Sequence, residues 1–410
     1  MTLTFRPSRL SGSIDAPPSK SVSHRFLICA SLSKSGTSSL NGIGRGEDIE
    51  ATRSALTALG AVIADRPDGS VFVDGSRIFS GRSPVCFCGE SGSTLRFLIP
   101  LLSLAGGGTL IRRGSLIGRP LDEYAALFAE RGIAFSASGE EVKVGAGLGG
   151  GEYRVPGERS SQFISGLLFA LPLAERDSTV IITGGVNSRP YIDLTLSALR
   201  RFGIDAGWAD AGFSGEAKTA LSIPGRQKYR AADAAVEGDH SLAANFSALR
   251  LLGGDITVTG LDGGSVQGDR VFGEYAQKIA LGRPTLDLRG CPDLAPLLFA
   301  LAAVKNGADF TGCARLRYKE SDRVLSMRTE LEKLGAEIAA DGDRVTVRPA
   351  ESFGEKTADF ISHGDHRAAM ALSVLLCFCG GTLRRAEAVN KSMPDFFDRL
   401  RALGAEITEI

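Results

Sequence analysis

The feature that most constrains this chain is internal self-similarity at a period of roughly 70 residues. Helix-stop signals followed by strand formers recur at Leu59-Gly60-Ala61-Val62-Ile63, Arg131-Gly132-Ile133, Phe202-Gly203-Ile204, Leu334-Gly335-Ala336-Glu337-Ile338 and Leu403-Gly404-Ala405-Glu406-Ile407. The glycines lie 72, 71, 132 and 69 residues apart. Since 132 is twice 66, a sixth, degenerate copy belongs in the gap, and Leu281-Gly282 is the candidate. Each glycine suits the left-handed position just past a helix end. An acidic residue opens each of these surface helices: Asp48, Asp122, Asp193, Asp269, Asp322 and Asp395.

A second helix repeats with the same period and is apolar on nearly all sides, which marks it as buried. Its copies begin near Ser21, Ser91, Ser160, His240, Asp293 and Asp365, spaced 70, 69, 80, 53 and 72. Phe163-Ile164-Ser165-Gly166-Leu167-Leu168-Phe169-Ala170-Leu171 is typical, and the β-branched run Thr179-Val180-Ile181-Ile182-Thr183 after it reads as a strand. Six such units predict two similar α/β domains of three units each. Because a strand precedes the first unit, the domains exchange their ends, with crossovers near 13–19 and 227–235. One domain is then 1–18 with 232–410, and the other 19–231.

Composition narrows the function. Glycine supplies 51 of 410 residues, about 12% against a usual ~7%, as many tight turns require. Lys+Arg and Asp+Glu are both 47, so the excess positive charge that nucleic-acid binding wants is missing. The longest uncharged stretch, 368–383, is interrupted by Gly380-Gly381 and is too short to span a bilayer. The N-terminus carries no basic-then-apolar targeting pattern. Seven cysteines, three of them in apolar helical runs, fit reduced thiols and a cytoplasmic protein. Cys86-Phe87-Cys88 and Cys377-Phe378-Cys379 lack a second ligand pair at zinc spacing, so no metal is expected. Gly106-Gly107-Gly108 lacks the Lys-Ser/Thr of a nucleotide-binding loop, and no cofactor is implied.

The polar starts of the six buried helices collect basic and hydroxyl side chains. They include Ser19-Lys20-Ser21-Val22-Ser23-His24-Arg25, Glu90-Ser91-Gly92-Ser93-Thr94-Leu95-Arg96, Arg159-Ser160-Ser161-Gln162 and Asp365-His366-Arg367. Arg119-Pro120, Ser188-Arg189-Pro190-Tyr191, Tyr318-Lys319-Glu320-Ser321-Asp322-Arg323 and Asn390-Lys391 precede or open other elements. Helix N-termini offer unpaired N–H groups and partial positive charge, a ready anion site. Lys20 and Arg25 at one buried helix start therefore ask for an anion. Taken singly, each motif reads equally as an ordinary cap or a surface ion pair. Recurrence at equivalent repeat positions favours function. His24 and His363 read as satisfied or exposed histidines.

These motifs, from Pro17 to Pro394, also resemble the 5-enolpyruvylshikimate-3-phosphate synthase family, the 3-phosphoshikimate 1-carboxyvinyltransferases of aromatic amino-acid biosynthesis. The resemblance implies an α/β (α+β) fold of two similar domains, each of three βαβαββ repeats with buried central helices arranged like an inverse α/β barrel, with the active site in the cleft between them. It implies transfer of the enolpyruvyl group of phosphoenolpyruvate to the 5-hydroxyl of shikimate 3-phosphate, with release of phosphate, by a monomer. By motif, Lys20, Ser21, Arg25, Ser160, Ser161, Gln162, Ser188, Tyr191, Asp293 and Lys319 are expected to contact shikimate 3-phosphate. Lys20, Gly92, Arg119, Gln162, Arg323, Arg367 and Lys391 are expected on the phosphoenolpyruvate side, where glyphosate would compete.

The catalytic groups implied are Asp293, at the head of a buried helix, as base, Glu320 as proton donor, and Lys20 assisting the leaving phosphate. Without the resemblance, Asp293 reads as an N-cap and Glu320 as a salt-bridge partner. Glu90, Phe97 and Arg315 depart from the common family pattern, His240 is given no role, and Arg112 or Arg113 could share the role of Arg119. The alternative, UDP-N-acetylglucosamine enolpyruvyl transferase, prefers Lys-Asn where this chain has Lys20-Ser21 and carries a loop cysteine, whereas no cysteine lies between Cys88 and Cys291. RNA 3′-phosphate cyclase, which has a related repeat, is disfavoured by the neutral charge. A non-catalytic repeat protein that binds partners through its anion face is a further rival.

Overall fold

The computed structural model of the chain describes residues 1–81, 83–209, 219–351, 353 and 357–410. The chain forms two compact units, one continuous (Lys20–Val236) and one split (Met1–Ser19 with Glu237–Ile410). Its first two strands, β1 (Thr2–Arg6) and β2 (Ser11–Asp15), belong to the split unit.

The continuous unit holds three repeats. The first is α1 (Lys20–Leu32), β3 (Thr37–Asn41), α2 (Glu47–Ala58), β4 (Val62–Asp65) and β5 (Val71–Asp74). The second is β6 (Val85–Gly89), α3 (Gly92–Leu104), β7 (Gly107–Arg112), α4 (Asp122–Glu130), β8 (Phe135–Ser138) and β9 (Glu141–Gly145). The third is β10 (Gly151–Pro156), α5 (Ser161–Ala170), β11 (Ser178–Thr183), α6 (Arg189–Arg201), β12 (Gly207–Trp208) and β13 (Ala220–Ile223). A last strand, β14 (Ala234–Ala235), returns to pair with β3. That pairing puts the second crossover at Val236, five residues later than the sequence suggested.

The split unit continues with α7 (His240–Leu251), β15 (Asp255–Thr259) and α8 (Phe272–Leu281). Then come β16 (Thr285–Asp287), α9 (Ala295–Val304), β17 (Ala308–Thr311), α10 (Arg323–Leu331), β18 (Glu337–Asp341) and β19 (Arg344–Arg348). The last repeat is β20 (Ala358–Ile361), α11 (His366–Cys379), β21 (Gly381–Arg384), α12 (Phe396–Ala402) and β22 (Glu406–Glu409).

Five repeats share one sheet pattern, a parallel pair of strands extended by an antiparallel pair; β14 supplies the outer parallel strand of the first sheet and β1 the third strand of the last. The orders are β14-β3-β5-β4, β6-β7-β9-β8, β10-β11-β13-β12, β16-β17-β19-β18 and β20-β21-β1-β22. The N-terminal strands belong to the split unit: β1 completes the last sheet and β2 pairs with β15. The fourth repeat differs, because among the described residues its sheet is β15 and β2 alone.

Apolar content on all sides drives α1, α3, α5, α7, α9 and α11 inward. Every residue of α9 from Ala295 to Ala303 is buried. Surface helices seal the cores at specific points. The Tyr124 hydroxyl of α4 donates to the carbonyls of Arg96 on α3 (2.8 Å) and Phe163 on α5 (3.0 Å). Gly166 permits this contact, since a methyl there would overlap the Tyr124 hydroxyl and the Arg96 carbonyl. Among the described residues no helix is long and apolar enough to cross a membrane, and the seven cysteines are buried and free.

The helix-stop glycines take the left-handed φ the repeat called for: Gly60 at 106°, Gly132 at 66°, Gly203 at 76°, Gly335 at 91° and Gly404 at 101°. Gly282 does not; its φ is 174°, and three residues after α8 the chain enters β16. The acidic openers behave unevenly. Asp322 caps α10 by accepting from Val324 N and Leu325 N. Asp193 lies one turn inside α6 and instead accepts from the Trp208 indole (2.7 Å).

Two glycines separate backbone strain from steric overlap. At Gly335 a Cβ meets nothing within 4 Å, so Gly335→Ala is expected to cost only the left-handed penalty of about 1–2 kcal/mol. At Gly381, φ is 126° and a Cβ would overlap the Ala358 carbonyl beside it, so Gly381→Ala should cost about 3 kcal/mol or more. Denaturant midpoints of the two variants check the order; equal midpoints would refute it.

Candidate functional site

The continuous unit gathers cations around three helix starts. Lys20, first residue of α1, pairs its Nζ with Asp48 Oδ2 of α2 at 2.8 Å. One turn on, Arg25 is buried and donates from Nε to Thr195 Oγ1 (2.9 Å), from Nη1 to the Ser21 carbonyl (2.7 Å) and from Nη2 to the Tyr191 carbonyl (2.8 Å). Its guanidinium also lies over the Phe97 ring, 5.3 Å from the centroid. Burial lowers its pKa to about 10, so it remains a cation at neutral pH. Among the described residues no carboxylate pairs with it. A buried cation held by neutral oxygens is poised for an anion.

A second cluster forms where α3 and α5 begin. Gln162 donates from Nε2 to Ser93 Oγ (3.0 Å) and accepts at Oε1 from Arg96 Nη1 (2.7 Å). Arg96 Nη2 also donates to the Pro120 carbonyl (3.1 Å), next to Arg119. A Cβ on Gly92 would sit 2.9 Å from Arg119 Nη1, 3.4 Å from Arg96 Nη1 and 3.6 Å from Gln162 Oε1. Gly92 thus lets two guanidinium groups and an amide converge on a helix N-terminus. Ser160 caps α5 by accepting from Gln162 N, and Ser161 is buried beside it. Ser188 precedes α6 in the left-handed region at φ 60°.

The split unit builds its cluster around Arg323, which is 1% exposed. It donates from Nε to Asp365 Oδ2, from Nη1 to Asp293 Oδ1 and from Nη2 to Glu320 Oε2, each at 2.9 Å. Arg367 Nη2 donates to the other oxygen of Asp293 at 3.1 Å, and Lys319 Nζ stands 3.7 Å from its Oδ1. Burial alone would raise the Asp293 pKa, but Arg367, Lys319 and Arg323 outweigh it and hold the carboxyl well below the usual range. Burial is also the main cause that lowers Lys319 to about 8, with Asp293 opposing and the Arg323 and Arg315 charges reinforcing. For Arg323, burial works against the charge, yet Asp365, Glu320 and Asp293 keep it protonated.

One sequence expectation needs correction, and the other expected residues take the following places. Asp293 does not head α9, which starts at Ala295 after Leu294; it lies in the preceding loop, freed from capping and drawn to the two arginines. Arg323 is surrounded by three carboxylates. Arg112 and Arg113 do not reach the Gly92 cluster: Arg112 donates to the Gly139 carbonyl and Arg113 pairs with Glu140. Lys391 is buried at the end of a 3-10 turn spanning Ala386–Lys391. His24 is neutral, its pKa pushed to about 3 chiefly by burial, and its Nδ1 shares a hydrogen bond with Thr52 Oγ1 (2.7 Å). His363 pairs with Glu330.

Sequence reasoning missed Arg96 and the pairing role of Asp48. Arg96 could have been found, since it stands four residues after Gly92 and so on the same helix face. The departures from the family pattern also find uses. Glu90 accepts from Ser115 Oγ (2.8 Å) and so anchors the turn that leads to Arg119. Phe97 is the ring beneath Arg25, and Arg315 donates to the Leu288 and Arg289 carbonyls of the loop before Asp293.

The model of the EPSP synthase (3-phosphoshikimate 1-carboxyvinyltransferase) family matches residues 5–400. A 3-phosphoshikimate 1-carboxyvinyltransferase of Clostridium kluyveri is 38% identical over 99% of this chain and 98% of its own. One from Clostridium acetobutylicum is 37% identical over 99% and 98%. The solved structure of EPSP synthase from Acinetobacter baumannii matches the fold over 100% of both chains, with a TM-score of 0.78 at 24% identity. With the family model covering nearly the whole length, the chain belongs to the EPSP synthase family.

Proposed function

We propose that this chain transfers the enolpyruvyl group of phosphoenolpyruvate to the 5-hydroxyl of shikimate 3-phosphate and releases inorganic phosphate. One observation supports it above the others: Arg25 is a buried cation whose partners are neutral oxygens, with no carboxylate paired to it among the described residues. Such a charge balance suits phosphate and carboxylate ligands.

In this assignment Lys20, Ser21, Arg25, Ser160, Ser161, Gln162, Ser188, Tyr191, Asp293 and Lys319 serve shikimate 3-phosphate. Lys20, Gly92, Arg119, Gln162, Arg323, Arg367 and Lys391 serve phosphoenolpyruvate, with Arg96 added. Arg323 chiefly orders Asp293, Glu320 and Asp365, and reaches a ligand only by giving up one of them. The chemistry is addition then elimination. C3 of phosphoenolpyruvate gains a proton while the 5-hydroxyl adds at C2 and loses its own proton to a carboxylate. The C2–O bond to phosphate then breaks as C3 gives its proton back, and Lys20 stabilises the departing phosphate. Asp293 and Glu320 are the proton carriers. Asp293, held ionised by its cations, is ready to accept. One chain supplies every group named, so a single copy suffices for turnover. Seven buried thiols without a disulfide support a reducing, cytoplasmic setting. The test is phosphate release by the purified protein. Release that requires both substrates is expected, and none with both present would overturn the assignment.

Lys319 gives the binding step a pH dependence of known sign. Its pKa of about 8 in the ligand-free protein rises when a phosphate dianion neutralises its surroundings. Binding then takes up a proton above pH 8, so shikimate 3-phosphate affinity should be level below about pH 8 and fall as pH rises further. Titrations from pH 6.5 to 9.5 check this. The Lys319→Met variant should bind more weakly with no such fall, and a flat wild-type profile would refute the role.

Gly92→Ala should separate substrate from inhibitor. Its new methyl would press on the Arg119 guanidinium, a flexible end that can shift without unfolding the protein. Glyphosate is expected to compete with phosphoenolpyruvate, and, being longer, to suffer more from the narrowed site. The inhibition constant should rise at least about tenfold, and more than KM for phosphoenolpyruvate does. Equal constants for wild type and variant would remove Gly92 from the pocket.

A further inference from the structure

Four buried polar side chains of the continuous unit form a hydrogen-bonded row to which the proposed reaction assigns no role. His24 of α1 is 1% exposed, and its Nδ1 lies 2.7 Å from Thr52 Oγ1 of α2. Thr52 Oγ1 is 2.6 Å from Thr94 Oγ1 of α3, and Thr94 Oγ1 donates to Ser91 Oγ at 2.7 Å. Ser91 is the cap of α3 and also accepts from Thr94 N at 3.3 Å. Each hydroxyl has one hydrogen to give. Thr94 gives its own to Ser91, so across the 2.6 Å contact Thr52 must donate to Thr94. Thr52 then has no hydrogen left, and its bond with His24 is made only if Nδ1 donates. The Asp48 carbonyl does not compete, at 3.4 Å from Thr52 Oγ1 and 3.5 Å from Thr94 Oγ1. The far ring nitrogen, Nε2, has no hydrogen-bond partner among the described residues. A bare lone pair is more tolerable there than a sealed N–H, which again puts the proton on Nδ1.

We infer that His24, as the Nδ1–H tautomer, is a positioning residue that sets the start of α3 and with it the grip on phosphoenolpyruvate. The row runs one way, from imidazole to helix cap. A capping hydroxyl must accept from its helix, so the polarity set at His24 arrives at Ser91 with the right sign. Behind that cap come Gly92, Ser93 and Arg96, the first-turn residues that meet Gln162 and Arg119. His24 itself lies one turn after Lys20 and next to Arg25 in α1. Three helices are thus indexed to one another through hydroxyl groups, and no cation is used up in doing so. Neutrality is part of the device. Burial lowers the His24 pKa to about 3, so the ring has a single N–H and adds no charge beside Lys20 and Arg25. The kinetic consequence rests on the proposed assignment of this face to phosphoenolpyruvate, whereas the tautomer does not.

Two measurements on the full-length protein test this. In isotope-labelled, ligand-free protein at neutral pH, one-bond nitrogen–proton coupling should place the ring proton of His24 on Nδ1. A proton on Nε2 would overturn the inference. In phosphate-release assays His24→Leu strands the Thr52 hydroxyl in the core, and should raise KM for phosphoenolpyruvate at least about tenfold while kcat changes less than about threefold. His24→Asn places an amide N–H where Nδ1 stood, and should bring KM back to within about threefold of wild type. Thr52→Val should match His24→Leu, and the double variant should be no worse than either, because each breaks the same row. An asparagine variant no better than the leucine one would refute the positioning role, as would penalties that add in the double variant. If His24→Leu does not fold, Thr52→Val set against His24→Asn makes the same comparison. A wild type that releases no phosphate would remove the reaction and not the tautomer, which the spectra decide alone.

Discussion

A single guanidinium, that of Arg323, fixes the geometry of the charged cluster in the split unit. Sealed from water, it would be intolerable alone, and the same holds for each of its three carboxylates. Together they form a set in which every member is compensated, and removal of one would leave a buried charge at a cost of about 3–5 kcal/mol. The residues come from separate places: Asp293 from the loop before α9, Glu320 from the turn before α10, and Asp365 from the cap of α11. Burying Arg323 therefore decides where three elements begin relative to one another. Asp293 ends up ionised and aimed because Arg367 and Lys319 close on it from the other side.

The two units differ in how their buried charges are compensated. In the split unit the cluster of Arg323, Arg367 and Lys319 faces Asp293, Glu320 and Asp365, three charges of each sign. Such a balanced set can move protons without a large change of field. In the continuous unit Arg25 is buried among neutral oxygens, so a negative charge is its natural complement. Neutral groups do the positioning there. Arg25 is aimed by two carbonyls and a threonine hydroxyl, and Gln162 spaces Arg96 from Ser93. Neutral supports leave the cationic charge unspent until the anion arrives.

How much of this could be read from the sequence follows from which interactions are local. The glycine stops were legible because a left-handed φ past a helix end is set by neighbours in the chain, and five of them behave as expected. The buried helices were legible because apolar content on all sides has one outcome. Gly282 misled because the hairpin it should introduce is missing, although the short spacing of 53 already signalled a deficit. Asp293 was placed at a helix head because helix starts are local guesses, whereas the pull of Arg323 and Arg367 comes from 30 and 74 residues away. The Lys20–Asp48 pair and the bond from Arg96 to Gln162 were invisible for the same reason.

The titrating groups also separate by unit, and their signs differ. His24 sits among Lys20 and Arg25, tied by Thr52 to Thr94 and from there to Ser91, the cap of α3. Burial first, and then those two cations, drive its pKa to about 3, against the ordinary 6.5. The unfolded chain therefore binds a proton that the folded one refuses between those values, and the histidine erodes stability as pH falls from 6.5 toward 3. Lys319 acts at the other end of the scale, since burial lowers its pKa to about 8 and its ammonium is lost as pH rises past that value. Acid limits would thus report on the packing of three helix starts in the continuous unit, and alkaline limits on a lysine in the split unit. His24 is built into the site's support as a neutral hydrogen-bonding group, which is why a histidine can stand beside two cations without titrating in the working range.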